Sequence, residues 1–269
     1  MNQYKGKVLT IAGSDSGGGA GIQADIKTIS SLGCYAASCI TSVTVQNTMQ
    51  VYKVHNIPQD IIKGQIEAVL SDMTIDAIKI GMLQSHEVIT AVAKSLPSDI
   101  PIIVDPVMIS TSNFKLMNDS AVLHFIEYII PQATVITPNI LEAEVLTNTK
   151  ISNKNCMKKA SKILKLLGTK SVLIKGGHLN HETIDNILLT EDNEIFNFSH
   201  KRIPQNELHG TGCTLSSAIA SFISQKIPIP DSIDLAIKYL LNTIRIIPKI
   251  GKGNNPVFHN YNTIHNSLP

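Results

Sequence analysis

The chain has 269 residues, of which 43% are apolar and 16% charged, and its net charge is +2. That length and apolar share suit one large α/β core, so residues 1–269 are expected to form a single domain. The chain has no Lys/Arg run and no Trp, and its aromatic share is 4%, which excludes a nucleic-acid surface built on charge and stacking.

The first apolar run, "VLTIAG" (8–13), stops at Ser14 and Asp15. It is too short for a signal-peptide core or a membrane span. A cytoplasmic protein with no membrane partner is therefore expected. Cysteines stand at 34, 39, 156 and 213 with no C-x-x-C pair, so reduced thiols are expected and a zinc half-site is not.

Strands are predicted at 7–13, 36–45, 77–81, 102–107, 134–138 and 171–177. Several are near-continuous apolar runs, as parallel strands buried on both faces require. Helices are predicted at 20–33, 58–72, 85–96, 119–130, 154–168, 214–225 and 232–247. In the first, Ile22, Ile26 and Ile29 share a face and Gly33 is a stop signal. The alternation implies βαβ units and a parallel sheet. One stretch departs from it: residues 183–199 read as two strands joined by "EDNE", an antiparallel hairpin. Residues 105–119 read as an irregular loop or flap.

In such a sheet the ligand crevice lies beyond the carboxyl ends of the strands. Asp15, Gln46, Met82, Asp105, Asn139 and Lys175 all fall at or just past predicted strand ends. Four motifs stand at these positions. "GSDSGGGAGIQAD" (13–25) lets backbone approach a ligand, with Asp15 and Asp25 as acceptors, but lacks the Lys-Ser/Thr of a phosphate-binding P-loop; it also suits a plain strand-to-helix turn. "TPNILEAE" (137–144) contains Asn139-x-x-Glu142, which reads equally as a capping box or as a carboxylate beside Mg²⁺-bound phosphates. In "IKGGH" (174–178) Lys175 is a point charge for a phosphate, or a solvated lysine. His178 and His181 are spaced H-x-x-H without a further ligand, so zinc is not expected. "HGTGCTLSSAIAS" (209–221) starts a helix on a glycine turn. Its first amides, Thr211 to Thr214, point at one spot beside Cys213, while Leu215, Ile219 and Phe222 face the sheet. A tidy helix start with a buried Cys is the plainer alternative.

Taken in order, these stretches resemble the ribokinase superfamily of small-molecule kinases. More narrowly, "TIAGSDSGGGAGIQADIKT", "TSVTVQNT", "IKIGML", "VDPVM", "ITPNILEAE", "IKGGH" and "HGTGCTLSSAIA" are similar to the hydroxymethylpyrimidine/phosphomethylpyrimidine kinases of thiamine biosynthesis, from about residue 7 to 257. The resemblance implies a ribokinase-like three-layer α/β/α sandwich with a mostly parallel sheet. It implies ATP-dependent phosphorylation of 4-amino-5-hydroxymethyl-2-methylpyrimidine to the monophosphate and then the diphosphate. ATP is the co-substrate, Mg²⁺ the cofactor, and a homodimer the expected assembly.

By the same resemblance, Cys213 is the catalytic base where most of the superfamily has Asp. Gly210, Thr211 and Gly212 form the anion hole, with Lys175 beside it. Gln46, Asp25, Gly13, Val45, Met82 and Val107 bind the pyrimidine. Asn139, Lys175 and Thr211 bind ATP. Glu142 and Asp105 hold Mg²⁺, directly or through water. A helix N-terminus lowers a thiol's pKa, so Cys213 is expected to supply thiolate near neutral pH.

Two stretches depart from the family pattern. "ISTSNFKLM" (109–117) replaces a Lys-Ser-Gly-Asp-like run, with Lys115 as a candidate substitute, and "GKGNNPV" (251–257) has Asn255 in place of a glycine. The competing readings are a pyridoxal or pyridoxine kinase on the same scaffold and a non-catalytic pyrimidine-binding protein.

Overall fold

Strand β1 (Lys7–Asp15) lies at the heart of the sheet, because its residues 8–13 are apolar or small and carry no side chain that needs water. The computed structural model describes residues 4–109, 116–179, 182–204, 208–245 and 249–261. Lys115 and His181 lie outside the described residues.

The chain continues through α1 (Gly21–Ser31), β2 (Tyr35–Gln46), β3 (Val51–Asn56), α2 (Gln59–Asp72), β4 (Ala77–Ile80), α3 (His86–Ala93), β5 (Ile102–Val104), α4 (Asp119–Tyr128), β6 (Val135–Ile136) and α5 (Ile140–Thr147). It then forms α6 (Lys154–Leu166), β7 (Ser171–Ile174), β8 (Thr183–Leu189), β9 (Ile195–Lys201), β10 (Leu208–His209), α7 (Thr211–Ser224), α8 (Ile229–Thr243) and β11 (Asn255–Pro256). Among the described residues nine strands form one sheet in the order β3-β2-β1-β4-β5-β6-β7-β8-β9. From β2 to β7 all neighbours are parallel. β3, β8 and β9 are antiparallel to their neighbours.

Side chains of the central strands alternate between two apolar layers. Leu9, Ile11, Ile78, Ile80, Ile102 and Val104 face the layer of Ile62, Ile66, Val88, Phe125, Ala143 and Leu164, which comes from α2 to α6. Val8, Ala77 and Ile103 face Ile29, Leu215, Ile219, Ile233 and Ile237 of α1, α7 and α8. This is the expected three-layer α/β/α sandwich, and the late hairpin is β8–β9.

Two expectations need correction. β3 was not foreseen, since "VYKVHN" carries polar residues at alternate positions and forms the sheet's edge, where one face stays wet. Helix α7 starts at Thr211, three residues before the predicted 214. Gly210 is its N-cap at φ 83°, a left-handed conformation that favours glycine, and a Cβ there would lie 1.9 Å from the Gly19 carbonyl oxygen. The turn and the helix are therefore one continuous unit, with Cys213 as the helix's third residue.

Candidate active site

A cavity of about 570 Å³ opens along the carboxyl ends of the parallel strands. Gly13, Gln46, Met82, Asp105, Val107, Asn139, Glu142, Lys175, Gly210, Thr211, Gly212 and Cys213 all line it. The structure thus brings together residues from six segments that the sequence placed at or near strand ends and from the helix start at 210–213. Two predicted residues stand elsewhere. Val45 does not line the cavity and is 58% exposed on β2, because the strand's alternation turns it to the opposite face from Gln46. Asp25 does not line the cavity either.

Asp25 is fully buried on α1, and its carboxylate is already saturated. Lys79 Nζ donates to both oxygens at 2.9 Å, Thr10 Oγ1 donates at 2.6 Å and Ser217 Oγ at 2.7 Å. With four hydrogen bonds from three donor groups on its two oxygens, Asp25 ties β1, β4 and α7 together from beneath the cavity and does not offer a free acceptor to a ligand. Lys79 itself lines the cavity. Burial works against its ammonium, but Asp25, Cys213 and Asp105 outweigh this and raise its pKa above the ordinary value. Residue choice on β4 gave a signal: a lysine inside the run "AIKI" on a central strand requires an internal counter-ion.

At one end of the cavity Lys175 follows β7. Its Nζ donates to Asp105 Oδ1 at 2.8 Å, and Thr137 Oγ1 donates to the same oxygen at 3.2 Å. Burial pushes the ammonium's pKa down, while Asp105 and Glu142 outweigh that and leave it raised. Gly212 brings the start of α7 against this pair: a Cβ there would lie 3.2 Å from Asp105 Oδ2 and 3.5 Å from Lys175 Nζ.

Asn139 and Glu142 do form a capping box. Asn139 Oδ1 accepts from the Glu142 amide at 2.9 Å, and Glu142 Oε2 accepts from the Asn139 amide at 2.8 Å. This structural role coexists with a place on the cavity wall. Burial, with Asp105 adding to it, pushes the Glu142 carboxyl up to about 7 against the pull of Lys175. With one ammonium beside two buried carboxyl groups, the second negative charge is relieved by protonation of Glu142 toward neutral pH.

Cys213 corrects the thiolate expectation. Burial pushes its thiol up to about 11; Lys79 and the Gly21 backbone pull it down, and Asp25 and Asp105 push it further up. The helix start does not prevail over desolvation and two carboxylates. Below about pH 11 the neutral thiol predominates. Alkylation of Cys213 by iodoacetamide, followed by peptide mass mapping, should therefore accelerate by about tenfold per pH unit from pH 7 to pH 10. A rate that levels off near pH 7 would contradict this environment.

At the opposite end Asp15 organises the glycine-rich loop. Its Oδ1 accepts from the Gly17 amide at 2.7 Å, and its Oδ2 from Gly19 and Ala20 at 3.0 and 2.8 Å. Its carboxylate is thus engaged by the loop, where the sequence suggested a ligand acceptor. His209 Nε2 lies 3.1 Å from Oδ2 and 3.0 Å from Gln46 Nε2. His209 opens the motif that contains Cys213, yet its spacing alone gave no hint of either partner, 194 and 163 residues away.

A mostly parallel sheet flanked by helices, with a glycine-capped helix start and a paired lysine in the cavity at the strand ends, is the arrangement of a ribokinase-like small-molecule kinase. The chain belongs to the phosphomethylpyrimidine kinase family, whose model matches residues 15–258. It is 42% identical to the thiamine biosynthesis bifunctional protein ThiED of Geobacter sulfurreducens over 95% of this chain, and it spans 52% of that relative's length. It is 39% identical to the hydroxymethylpyrimidine/phosphomethylpyrimidine kinase of Mycobacterium tuberculosis, covering 93% of this chain and 92% of that one. Among solved structures, phosphomethylpyrimidine kinase from Clostridium difficile matches with a TM-score of 0.78 and 43% identity, over 88% of this chain and 99% of that one. The pyridoxal kinase of Staphylococcus aureus, in complex with AMP-PCP and pyridoxal, matches with a TM-score of 0.88 and 31% identity, over 96% and 95%.

Among the described residues no group of three His, Cys, Asp or Glu side chains is placed to hold a metal ion. No helix among them is long and apolar enough to cross a membrane.

Proposed function

We propose that this chain phosphorylates 4-amino-5-hydroxymethyl-2-methylpyrimidine with ATP, first to the monophosphate and then to the diphosphate, in thiamine diphosphate biosynthesis. The observation that carries the reading is the family match over nearly the whole chain, with the start of α7, Lys175 and Asp105 at one end of the cavity and Gln46 at the other. Gln46 offers a donor and an acceptor on one planar group, which suits a ring nitrogen and its neighbouring amino group. Gly13, Met82 and Val107 supply the remaining walls of the pyrimidine pocket.

The alcohol oxygen attacks the terminal phosphorus of ATP, the bond to the bridging oxygen breaks, and ADP leaves. Such a transition state is loose, so positioning and charge stabilisation carry most of the rate. The amides of Thr211, Gly212 and Cys213 have no helical carbonyl partner and face the anion. Lys175 neutralises charge on the group in flight, and Asn139 and Thr211 flank the nucleotide. Glu142 and Asp105 are the residues that would hold Mg²⁺ through water: two carboxyl groups beside one ammonium would suit an ion that keeps most of its waters, and its charge would favour the ionised form of Glu142. When bound, the ion supplies charge neutralisation between the phosphates. With Cys213 neutral, the alcohol proton passes late to an oxygen of the transferred phosphoryl group, and the thiol does not repel the anionic acceptor of the second step as a fixed carboxylate would.

We further propose a cytoplasmic homodimer, in which the exposed Val43, Val45 and Tyr52 of β2 and β3 supply apolar surface for a second copy. The test of the activity is a time course with the pyrimidine alcohol, ATP and Mg²⁺, resolved by anion-exchange chromatography. The expected outcome is a monophosphate that rises and then falls as the diphosphate accumulates. ATP consumption with no phosphorylated pyrimidine would refute it.

A further inference from the structure

The Gln46 end of the cavity contains a hydrogen-bond conflict, and its resolution identifies a positioning residue. Asp15 receives three backbone N–H bonds, so its carboxylate acts as an ionised acceptor. Burial raises its pKa, but His209 and the Ala20 and Gly17 amides outweigh that and hold it below the ordinary carboxylate value. At 3.1 Å from Oδ2, His209 Nε2 must therefore carry a proton and donate it.

The same ring nitrogen lies 3.0 Å from Gln46 Nε2, which is also a donor. Two donors cannot face each other at that distance. A half-turn of the Gln46 amide removes the conflict. Its oxygen then shares the His209 Nε2–H proton with Asp15 Oδ2 in a three-centre hydrogen bond. Its nitrogen takes the place 3.1 Å from Thr44 Oγ1 and donates to it, while Thr44 Oγ1 still donates to the Ser14 carbonyl at 3.1 Å. Every atom in the chain Asp15–His209–Gln46–Thr44–Ser14 then has a compatible partner.

The imidazole is closely packed in this arrangement. Its side chain is 13% exposed, and a Cβ on Gly19 would come within 2.5 Å of its Cδ2. We propose that His209, held by Asp15, is a specificity-determining positioning residue that locks the Gln46 amide with its oxygen toward His209 and its nitrogen toward Thr44.

This inference rests on the function proposed above and adds an order to it. The locked amide keeps one N–H and one oxygen lone pair for a ligand. An aminopyrimidine fits with its ring nitrogen on the Thr44 side and its exocyclic amino group on the His209 side. The 4-oxo analogue of the same alcohol carries a ring N–H and a carbonyl oxygen, the reverse order, and meets donor with donor and acceptor with acceptor. The lock thus sets which heterocycle is accepted.

The test compares kcat/KM for the 4-amino and 4-oxo alcohols in the wild type, His209→Phe and His209→Gln. Phe keeps the ring's volume without the N–H; Gln keeps an N–H near the position of Nε2. The amino-over-oxo preference is expected to fall by about tenfold in His209→Phe, as the amide is freed to turn, and to be largely restored in His209→Gln, with KM for ATP within about twofold throughout. An unchanged preference in His209→Phe would overturn the proposal. A second measurement needs no variant and no activity: ¹⁵N-resolved imidazole spectra of the wild type should show the His209 proton on Nε2. A bare Nε2 would overturn the lock. If the wild type phosphorylates neither alcohol, the proposed function fails, and the imidazole spectrum still decides the lock.

Discussion

Lys175→Met is expected to lower kcat for both phosphorylations by about 10²–10³-fold while KM for the pyrimidine changes by less than about threefold. The ammonium stands at the end of the cavity away from Gln46, 2.8 Å from Asp105 and against Gly212 at the start of α7. In the proposed function it meets the phosphoryl group and not the ring, so its loss should appear in the transition state more than in ground-state binding. Met preserves the length and apolar stem of the side chain and removes only the charge. The substitution also leaves the buried Asp105 without its cation. A thermal melt must therefore accompany the kinetics, and Lys175→Met/Asp105→Asn should recover stability without recovering rate. Steady-state kinetics with kcat within tenfold of the wild type would show that Lys175 is not part of the phosphoryl site.

The second large effect is on stability. Asp25→Ala should destabilise the fold by about 3–5 kcal/mol, because it leaves a buried ammonium without its partner. Lys79 and Asp25 are each fully buried, and Thr10 and Ser217 would lose their acceptor at the same time. In a chain of this size the melting temperature should fall by roughly 10 °C. The double variant Asp25→Leu/Lys79→Met removes both charges and keeps apolar volume, so it should lie much closer to the wild type than Asp25→Ala does. Calorimetry on the three proteins checks this. Equal losses in the single and double variants would mean that the ion pair is not what the single change disrupts.

Much of the architecture was legible because it depends on local pattern. Near-continuous apolar runs marked β1, β4, β5 and β7, and a helical pattern between them marked α1 to α4. The strand ends located the cavity, since a parallel sheet leaves its open edge only there. β3 escaped because an edge strand with one wet face looks like a polar connector. The start of α7 escaped because Gly-Thr-Gly reads as turn until a close carbonyl, Gly19 O, shows why Gly210 must be glycine.

The site divided along the same line. Lys175, Asn139, Glu142 and Gln46 stand beside telling neighbours in the chain. Asp25 did not reveal its role, because its partners lie 15, 54 and 192 residues away. Its motif suggested a ligand acceptor, and only the packing of α1 against β4 and α7 shows that its oxygens are taken. Cys213 shows the reverse error. Its helix start argued for a thiolate, but burial and the nearby carboxylates hold it neutral. A local signal was sound in both cases and was outweighed by charges brought in from distant segments.

In the proposed function this cavity accepts a hydroxymethylpyrimidine and transfers phosphoryl groups to it twice. The most direct measurement supplies the enzyme with Mg²⁺, γ-labelled ATP and equal concentrations of the pyrimidine alcohol and pyridoxal, and follows the label by chromatography. Label is expected in the pyrimidine monophosphate first and the diphosphate next, with pyridoxal phosphate a minor product. Label that accumulates in pyridoxal phosphate while the pyrimidine stays unmodified would contradict that function.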